Sequence, residues 1–190
     1  MRAAGMIMWA GLALAGLATS GFGEMLYNAD FEDPVKGEGC LPTAWTHYST
    51  AKAKGGLLAP RGRNNSQCAV LETHGVPKSG QGLLQIVHVI PGRKYDFVAH
   101  VKSDPNGPLR DHAMGQLVIE WLNETGREVG RTSGESWDAS LSRVGWRKVE
   151  IRRVRPPERA AQAKFGIHLF EGDGEAEGAF LVDDVSVTER

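Results

Sequence analysis

The stretch Phe180-Leu181-Val182-Asp183-Asp184-Val185-Ser186-Val187 lies near one end of the chain, and Leu26-Tyr27-Asn28-Ala29-Asp30-Phe31-Glu32 lies near the other. Both interleave apolar residues with carboxylates. A strand that gives one face to a core and its acids to another environment has this pattern. Clustered oxygen ligands at both ends make sense if the two strands lie side by side, where a hard cation such as calcium could neutralise their repulsion. On the opening strand Asn28, Asp30 and Glu32 share one parity. On the closing strand Asp183 shares the parity of Leu181, Val185 and Val187, which points it inward. A carboxylate on a core-facing parity is costly unless it is paired or coordinated.

Between these ends the pattern is strand, turn, strand. The runs 81–90 and 95–102 are β-rich and separated by Pro91-Gly92-Arg93-Lys94, a turn by its chemistry. The run 115–123 ends at Glu124-Thr125-Gly126, and 146–154 is stopped by Pro156-Pro157. The runs 164–170 and 179–188 flank an acidic, glycine-punctuated loop at 171–178. Segments 52–65, 104–107 and 131–145 read as loops. No amphipathic helix and no internal repeat is evident. Many short strands with Gly and Pro between them predict an all-β sandwich or barrel.

The 190-residue chain starts with Arg2 and an uncharged apolar stretch from Ala3 to Ala18, which reads as a secretory leader. Ala18-Thr19-Ser20 offers small residues for cleavage, so the leader is expected over 1–20, with cleavage as late as 23 as a second option. At about 16 residues the stretch is short of the roughly 20 needed to span a bilayer; an uncleaved anchor is the alternative. Residues 24–190 are then one domain, and the expected location is secreted, periplasmic or cell envelope, without membrane insertion after cleavage. A formal charge of −1 argues against a general nucleic-acid binder. Cys40 and Cys68 are expected to form a disulfide in an oxidising compartment.

The order of these motifs resembles carbohydrate-binding modules of families 4, 9, 16 and 22, which are galactose-binding-domain-like jelly-roll β-sandwiches of two antiparallel sheets. The opening and closing strands are similar to the module's own. Pro42-Thr43-Ala44-Trp45 is similar to its Pro-x-x-Trp lead-in to the second strand. The stretch Gln85-Ile86-Val87-His88-Val89-Ile90-Pro91-Gly92-Arg93-Lys94-Tyr95 is similar to its Gln-strand, Pro-Gly turn and Tyr-strand. Leu122-Asn123-Glu124-Thr125-Gly126 resembles its Asp-x-x-Gly turn with Asn123 in place of the acid, and Gly145-Trp146-Arg147-Lys148-Val149 its later Trp-strand. The resemblance implies a structural calcium held by Asp30, Glu32 and Asp183, with Asp184 as a substitute. The alternative is that these acids accept hydrogen bonds from turn amides or pair with arginines.

Sugar rings present apolar C–H faces and a rim of hydroxyls, so a glycan site wants flat side chains flanked by polar groups. Trp45, Tyr48 and Trp137, in or beside predicted loops, are candidates for stacking, with His47 beside them. Trp121 and Trp146 read as core. A second candidate site is a sheet face. The strands holding His88, Glu120 and His168 are expected to be neighbours in a jelly roll, with all three side chains on one outward, concave face. A polar groove, a His/Glu metal site and a solvated sheet face are the three readings of that set. The basic residues between Arg147 and Arg159 are interrupted by Glu150 and Glu158 and read as a solvated strand, with acidic polysaccharides as the minority alternative.

No GxSxG, P-loop, HExxH or cysteine-nucleophile setting is present. The sequence therefore predicts a secreted, non-catalytic module that binds a polysaccharide or glycan, with no catalytic residues assigned. An envelope or cell-surface module that binds surface proteins is the alternative. A role as part of, or accessory to, glycoside hydrolase activity is the second.

Overall fold

The computed structural model describes residues 23–190, so the expected leader over 1–20 lies outside the described residues. Ten strands follow one another: β1 Thr46–Ser49, β2 Leu57–Ala59, β3 Cys68–Glu72, β4 Gly80–His88 and β5 Tyr95–Ser103, then β6 Arg110–Leu122, β7 Glu128–Trp137, β8 Arg147–Val154, β9 Gln162–Glu177 and β10 Ala179–Glu189. They form two five-stranded antiparallel sheets, ordered β1-β4-β9-β6-β7 and β2-β3-β10-β5-β8. The expected jelly-roll β-sandwich is what the chain builds, and the described residues contain no α-helix.

Alternation along the strands makes the core. On β9, Ala163, Phe165, Ile167 and Leu169 are fully buried, and they meet Phe97, Ala99 and Val101 of β5 and Phe180 and Val182 of β10. Phe97 packs edge-on against Phe165 with ring centres 5.2 Å apart. The Pro91–Gly92 turn closes where expected: Gly92 takes φ +85°, a conformation glycine adopts freely, and the Arg93 amide donates to the Ile90 carbonyl.

Several local readings are corrected. The segment 26–32 is a series of turns and not a strand. It nevertheless runs beside β10, since the Met25 amide donates to the Val187 carbonyl and the Val185 amide to the Ala29 carbonyl. Positive φ at Asn28 and Phe31 breaks the extended path. The expected acidic loop at 171–178 is instead the continuation of β9, with only Gly178 turning into β10. Segment 131–145 is strand as far as Trp137, because polar residues suffice on an edge strand. The segment 52–65 contains the short β2 and a single 3-10 turn at Arg63–Asn65.

The predicted Cys40–Cys68 disulfide is not formed; both are free thiols, Cys40 exposed and Cys68 buried. The Cys68 Sγ–H donates to the Ala59 carbonyl at 3.6 Å. Burial, reinforced by the Asp183 charge, pushes this thiol up to about 12, and a thiol held protonated is a poor partner for disulfide chemistry. Asp183 is also re-aimed. A register shift between Asp183 and Ser186 puts Val185 and Val187 in the inter-sheet core with Phe180 and Val182. Asp183 is buried on the other side of β10, against the loop that precedes β3.

Candidate functional site

The outward face of the first sheet collects the chemistry. On β9 the residues between the core positions are Lys164, Gly166, His168 and Phe170. Register fixes what lies beside each. Tyr48 of β1, Gly82 of β4, His168 of β9 and Gln116 of β6 form one cross-strand row. Gly80, Phe170 and Met114 form the next in one direction. In the other lies Ile86, Lys164, Glu120 and Arg131, and beyond it His88 opposite Gln162. His88, Glu120 and His168 thus share one face of three adjacent strands, but they do not meet. Their rows span about 20 Å at ~3.3 Å per residue along β9, and among the described residues no group of three or more His, Cys, Asp or Glu side chains is placed to hold a metal. The metal reading of this set is not supported.

Glycines give the row its depth. A Cβ at Gly82 would lie 2.6 Å from the Ile167 carbonyl oxygen and 2.8 Å from the Tyr48 ring; one at Gly166 would lie 2.2 Å from His168 Nε2. Their absence lets Tyr48 and His168 lie down on the sheet. The Tyr48 hydroxyl meets His168 Nδ1 at 2.6 Å, and the imidazole stacks parallel on Phe170 with ring centres 5.6 Å apart. His168 is consequently only 5% exposed although it points away from the core. Burial pushes its pKa down to about 4 against the pull of the Glu120 charge, so the ring is neutral at pH 7. Burial and then the Glu120 charge push the Tyr48 hydroxyl up to about 12, which keeps it protonated. The phenol is the better donor, so it donates to Nδ1 and leaves the His168 proton on Nε2. Nε2 has no hydrogen-bond partner among the described residues.

Glu120 sits between two cations. Lys164 Nζ donates to it at 2.7 Å and Arg131 at 3.3 Å, and Arg131 also binds Glu128 at 2.9 Å. The face therefore offers two rings, Tyr48 and Phe170, held against a buried imidazole, with a glycine floor and a charge-balanced polar flank. Sugar rings pack on such rings, and sugar hydroxyls bond such flanks.

Other predicted site residues lie elsewhere. Trp45 is buried against Phe31, its Nε1 donating to the Asn28 carbonyl at 2.9 Å. Trp137 is 1% exposed and packs edge-on against Phe180. Gly115 admits it, since a Cβ there would fall 2.2 Å from the indole. Neither tryptophan can stack a ligand without unfolding its surroundings, which corrects the loop-platform reading. His47 bonds the buried Gln81 at 3.1 Å. Tyr48 is the stacking candidate that the structure leaves half-exposed.

The four acids expected at calcium divide into two pairs. Asp30 is exposed and accepts only the Glu32 amide, and Asp184 pairs with the Arg63 guanidinium. Glu32 and Asp183 instead reach the same loop. Glu32 accepts from the Gln67 amide at 2.7 Å; Asp183 accepts from the Arg63 amide at 2.7 Å and the Ser66 hydroxyl at 3.1 Å. Asp183 is fully buried without an ion pair among the described residues, and burial pushes its pKa up to about 6 despite these donors. Of the four acids Asp183 alone is buried without an ion pair, the condition a cation would relieve, while no group of three or more His, Cys, Asp or Glu among the described residues is placed to hold one.

Solved structures provide the comparison. A family 61 carbohydrate-binding module in complex with β-1,4-galactotriose superposes with a TM-score of 0.58 at 14% identity, over 88% of this chain and 99% of that one. The fold is that of a carbohydrate-binding module. The C-terminal family 22 module of Clostridium thermocellum Xyn10B gives 0.57 at 13% identity, over 87% and 92% of the two chains. The enzymatically active domain of the bacteriophage CBA120 tailspike protein 4 gives 0.57 at 14%, over 88% of this chain but 21% of that one. No protein-family model and no curated protein matches the sequence. Likeness at these identities establishes the module's fold, and the ligand must be argued from the residues.

Sequence reading missed Phe170, Gln116, Lys164 and Arg131 on this face. The signal was present for β9, where Lys164, Gly166, His168 and Phe170 alternate with four apolar residues. Arg131 was hidden because its strand was read as a loop.

Proposed function

We propose that this module binds a glycan across the outward face of the first sheet and does not cleave it. One observation carries the reading: Tyr48 and Phe170 flank the buried His168 over Gly80, Gly82 and Gly166, with Gln116 and the Lys164–Glu120–Arg131 network beside them. The likeness to modules solved with galactotriose or described as xylan-binding supports a polysaccharide ligand. Phe170 and Tyr48 would take the C–H face of a sugar ring, and Gln116, Lys164 and Arg131 its hydroxyls, with the buried His168 holding the two rings in place. Glu120 is built into an ion-pair network and not opposite a second carboxylate across a cleft, as glycoside hydrolysis requires. Glu32 and Asp183 would hold a structural calcium that ties the segment before β1 to β10, supplying charge compensation and no chemistry. Export, as the leader suggests, would bring the module to such ligands.

Calorimetric titration with β-1,4-linked galacto-, xylo- and gluco-oligosaccharides tests the face. Tyr48→Ala and Phe170→Ala should each lower affinity roughly 5- to 150-fold, the loss of about 1–3 kcal/mol by analogy with base stacking. Unchanged affinity in both variants would reject the face, and release of new reducing ends would reject the non-catalytic reading. For the ion, calcium should raise the unfolding midpoint of metal-stripped protein and fail to do so in Asp183→Asn. An absent shift in the unmutated protein would reject the calcium site.

A further inference from the structure

We infer a second binding site, for the carboxylate or sulfate groups of an acidic glycan, in the cleft where β5, β8 and the β4–β5 turn meet. The cleft is lined by Arg93, Lys94, Asp96, Arg152, Arg153 and Arg190, together with Gly92. It belongs to the second sheet and is independent of the face proposed above.

Its construction is unusual for a surface strand. Tyr95 pairs with Val154 and Phe97 with Ile151, so both Arg152 and Arg153 stand opposite the single residue Asp96. This is a β-bulge, and it gives two consecutive side chains a common outlook where a regular strand would alternate them. Arg153 takes φ +50°, a strained conformation for a residue with a long side chain. Asp96 holds it there. That carboxylate is 6% exposed and accepts the Arg153 amide at 2.7 Å and the Arg190 guanidinium at 2.9 Å. The Arg190 amide in turn donates to the Lys94 carbonyl at 2.7 Å, which closes the cleft. A buried acid is thus used to gather arginines.

The charges do not cancel. Five cations line the cleft. Arg190 is matched by Asp96, Arg93 by Glu189 at 3.4 Å and Arg152 by Glu150 at 2.9 Å, a carboxylate that Lys148 also shares. Lys94 and Arg153 have no ion pair among the described residues, so the side chains that line the cleft carry two uncompensated positive charges on a chain whose formal side-chain charge is −1. Clustered guanidinium groups bind carboxylate and sulfate oxygens in pairs, with a strength that depends on salt. No aromatic side chain lines the cleft, so it is suited to pendant anionic groups and not to ring stacking.

The test titrates oligogalacturonate and a sulfated galacto-oligosaccharide, with a neutral galacto-oligosaccharide and a polyphosphate of matched charge as controls, at low and raised salt. Arg153→Gly keeps the left-handed backbone while removing the guanidinium, and Arg152→Gln removes the second. The acidic sugars should bind the unmutated protein more weakly as salt rises. The double variant should lose at least fivefold in their affinity while its unfolding midpoint does not fall and its neutral-sugar binding stays the same. Acidic sugars that bind no tighter than neutral ones, or equally well in the double variant, overturn the site. Polyphosphate binding as tight as that of the sugars overturns the glycan assignment. Tyr48→Ala separates the two sites, since it should weaken neutral ligands and leave acidic ones unaffected.

Discussion

The outward face of the first sheet and the cleft at the β5–β8 edge are both built around a carboxylate, paired with Lys164 and Arg131 on the face and with Arg190 at the cleft, yet they suit different ligands. On the face the β4–β9 register runs unbroken from Gly80–Phe170 to His88–Gln162, and Glu120 is matched to Lys164 and Arg131. The unbroken register keeps Tyr48, His168 and Phe170 on one face, and the matched ion pairs leave that surface close to neutral. At the cleft one extra residue in β8 breaks the alternation and turns two arginines outward together. Continuous register makes a platform for sugar rings, and a bulge concentrates charge.

The strongest way to break this contrast is to fill the floor. Gly82→Val places atoms against the Ile167 carbonyl and the Tyr48 ring. It should abolish neutral-glycan binding in titration, a loss above 100-fold, and leave acidic-glycan binding at the cleft intact. The added volume in a tightly packed spot should also cost about 1–3 kcal/mol of stability, read by denaturant unfolding.

A second contrast is electrostatic and appears in stability against pH. His168, held down to about 4, stays neutral in the folded state while an unfolded histidine protonates near 6.5. Its contribution is therefore complete above pH 6.5 and is lost as pH falls towards 4, on the order of 3 kcal/mol. Asp183, raised to about 6 from 3.8, behaves oppositely. The folded state holds its proton more tightly, so its contribution is complete below pH 3.8 and lost as pH rises through 6, by a similar amount. Between pH 4 and 6 the two slopes offset in metal-free protein. Unfolding titrations of His168→Gln should show stability rising on acidification, and those of Asp183→Asn should show it falling. Equal slopes in the two variants would refute these environments.

The smallest expected effect sharpens the comparison most directly. Glu120→Gln removes the carboxylate that pairs with Lys164, leaves Arg131 on Glu128, and shifts the face towards the positive charge of the cleft. Acidic oligosaccharides should then gain roughly two- to fivefold in affinity, measured in the Arg152→Gln/Arg153→Gly background to silence the cleft.

How much of this was readable from the chain differs by residue. The alternation of Ala163, Phe165, Ile167 and Leu169 with Lys164, His168 and Phe170 places the first part of β9 and its outward set without a structure, whereas the acidic, glycine-rich 171–177 hides the rest. Tyr48 was recognised as a ring near loops, but its partner His168 is 120 residues away, and only strand order brings them together. Trp45 and Trp137 misled because a tryptophan among polar residues looks exposed; Gly115 and Phe31 supply the space and the contact that bury them. The acidic strand ends were seen, but the shift between Asp183 and Ser186 decides which side each acid takes.

By itself the sequence determined that this protein is an all-β sandwich or barrel with a Pro91–Gly92 turn and acids near both ends, because the period of two and turn chemistry are local properties of the chain. The tertiary structure alone decided which ring is offered to a ligand, which acids share a loop and where cations accumulate. Those outcomes depend on register, bulges and the space left by glycines on neighbouring strands, which no single stretch of sequence encodes.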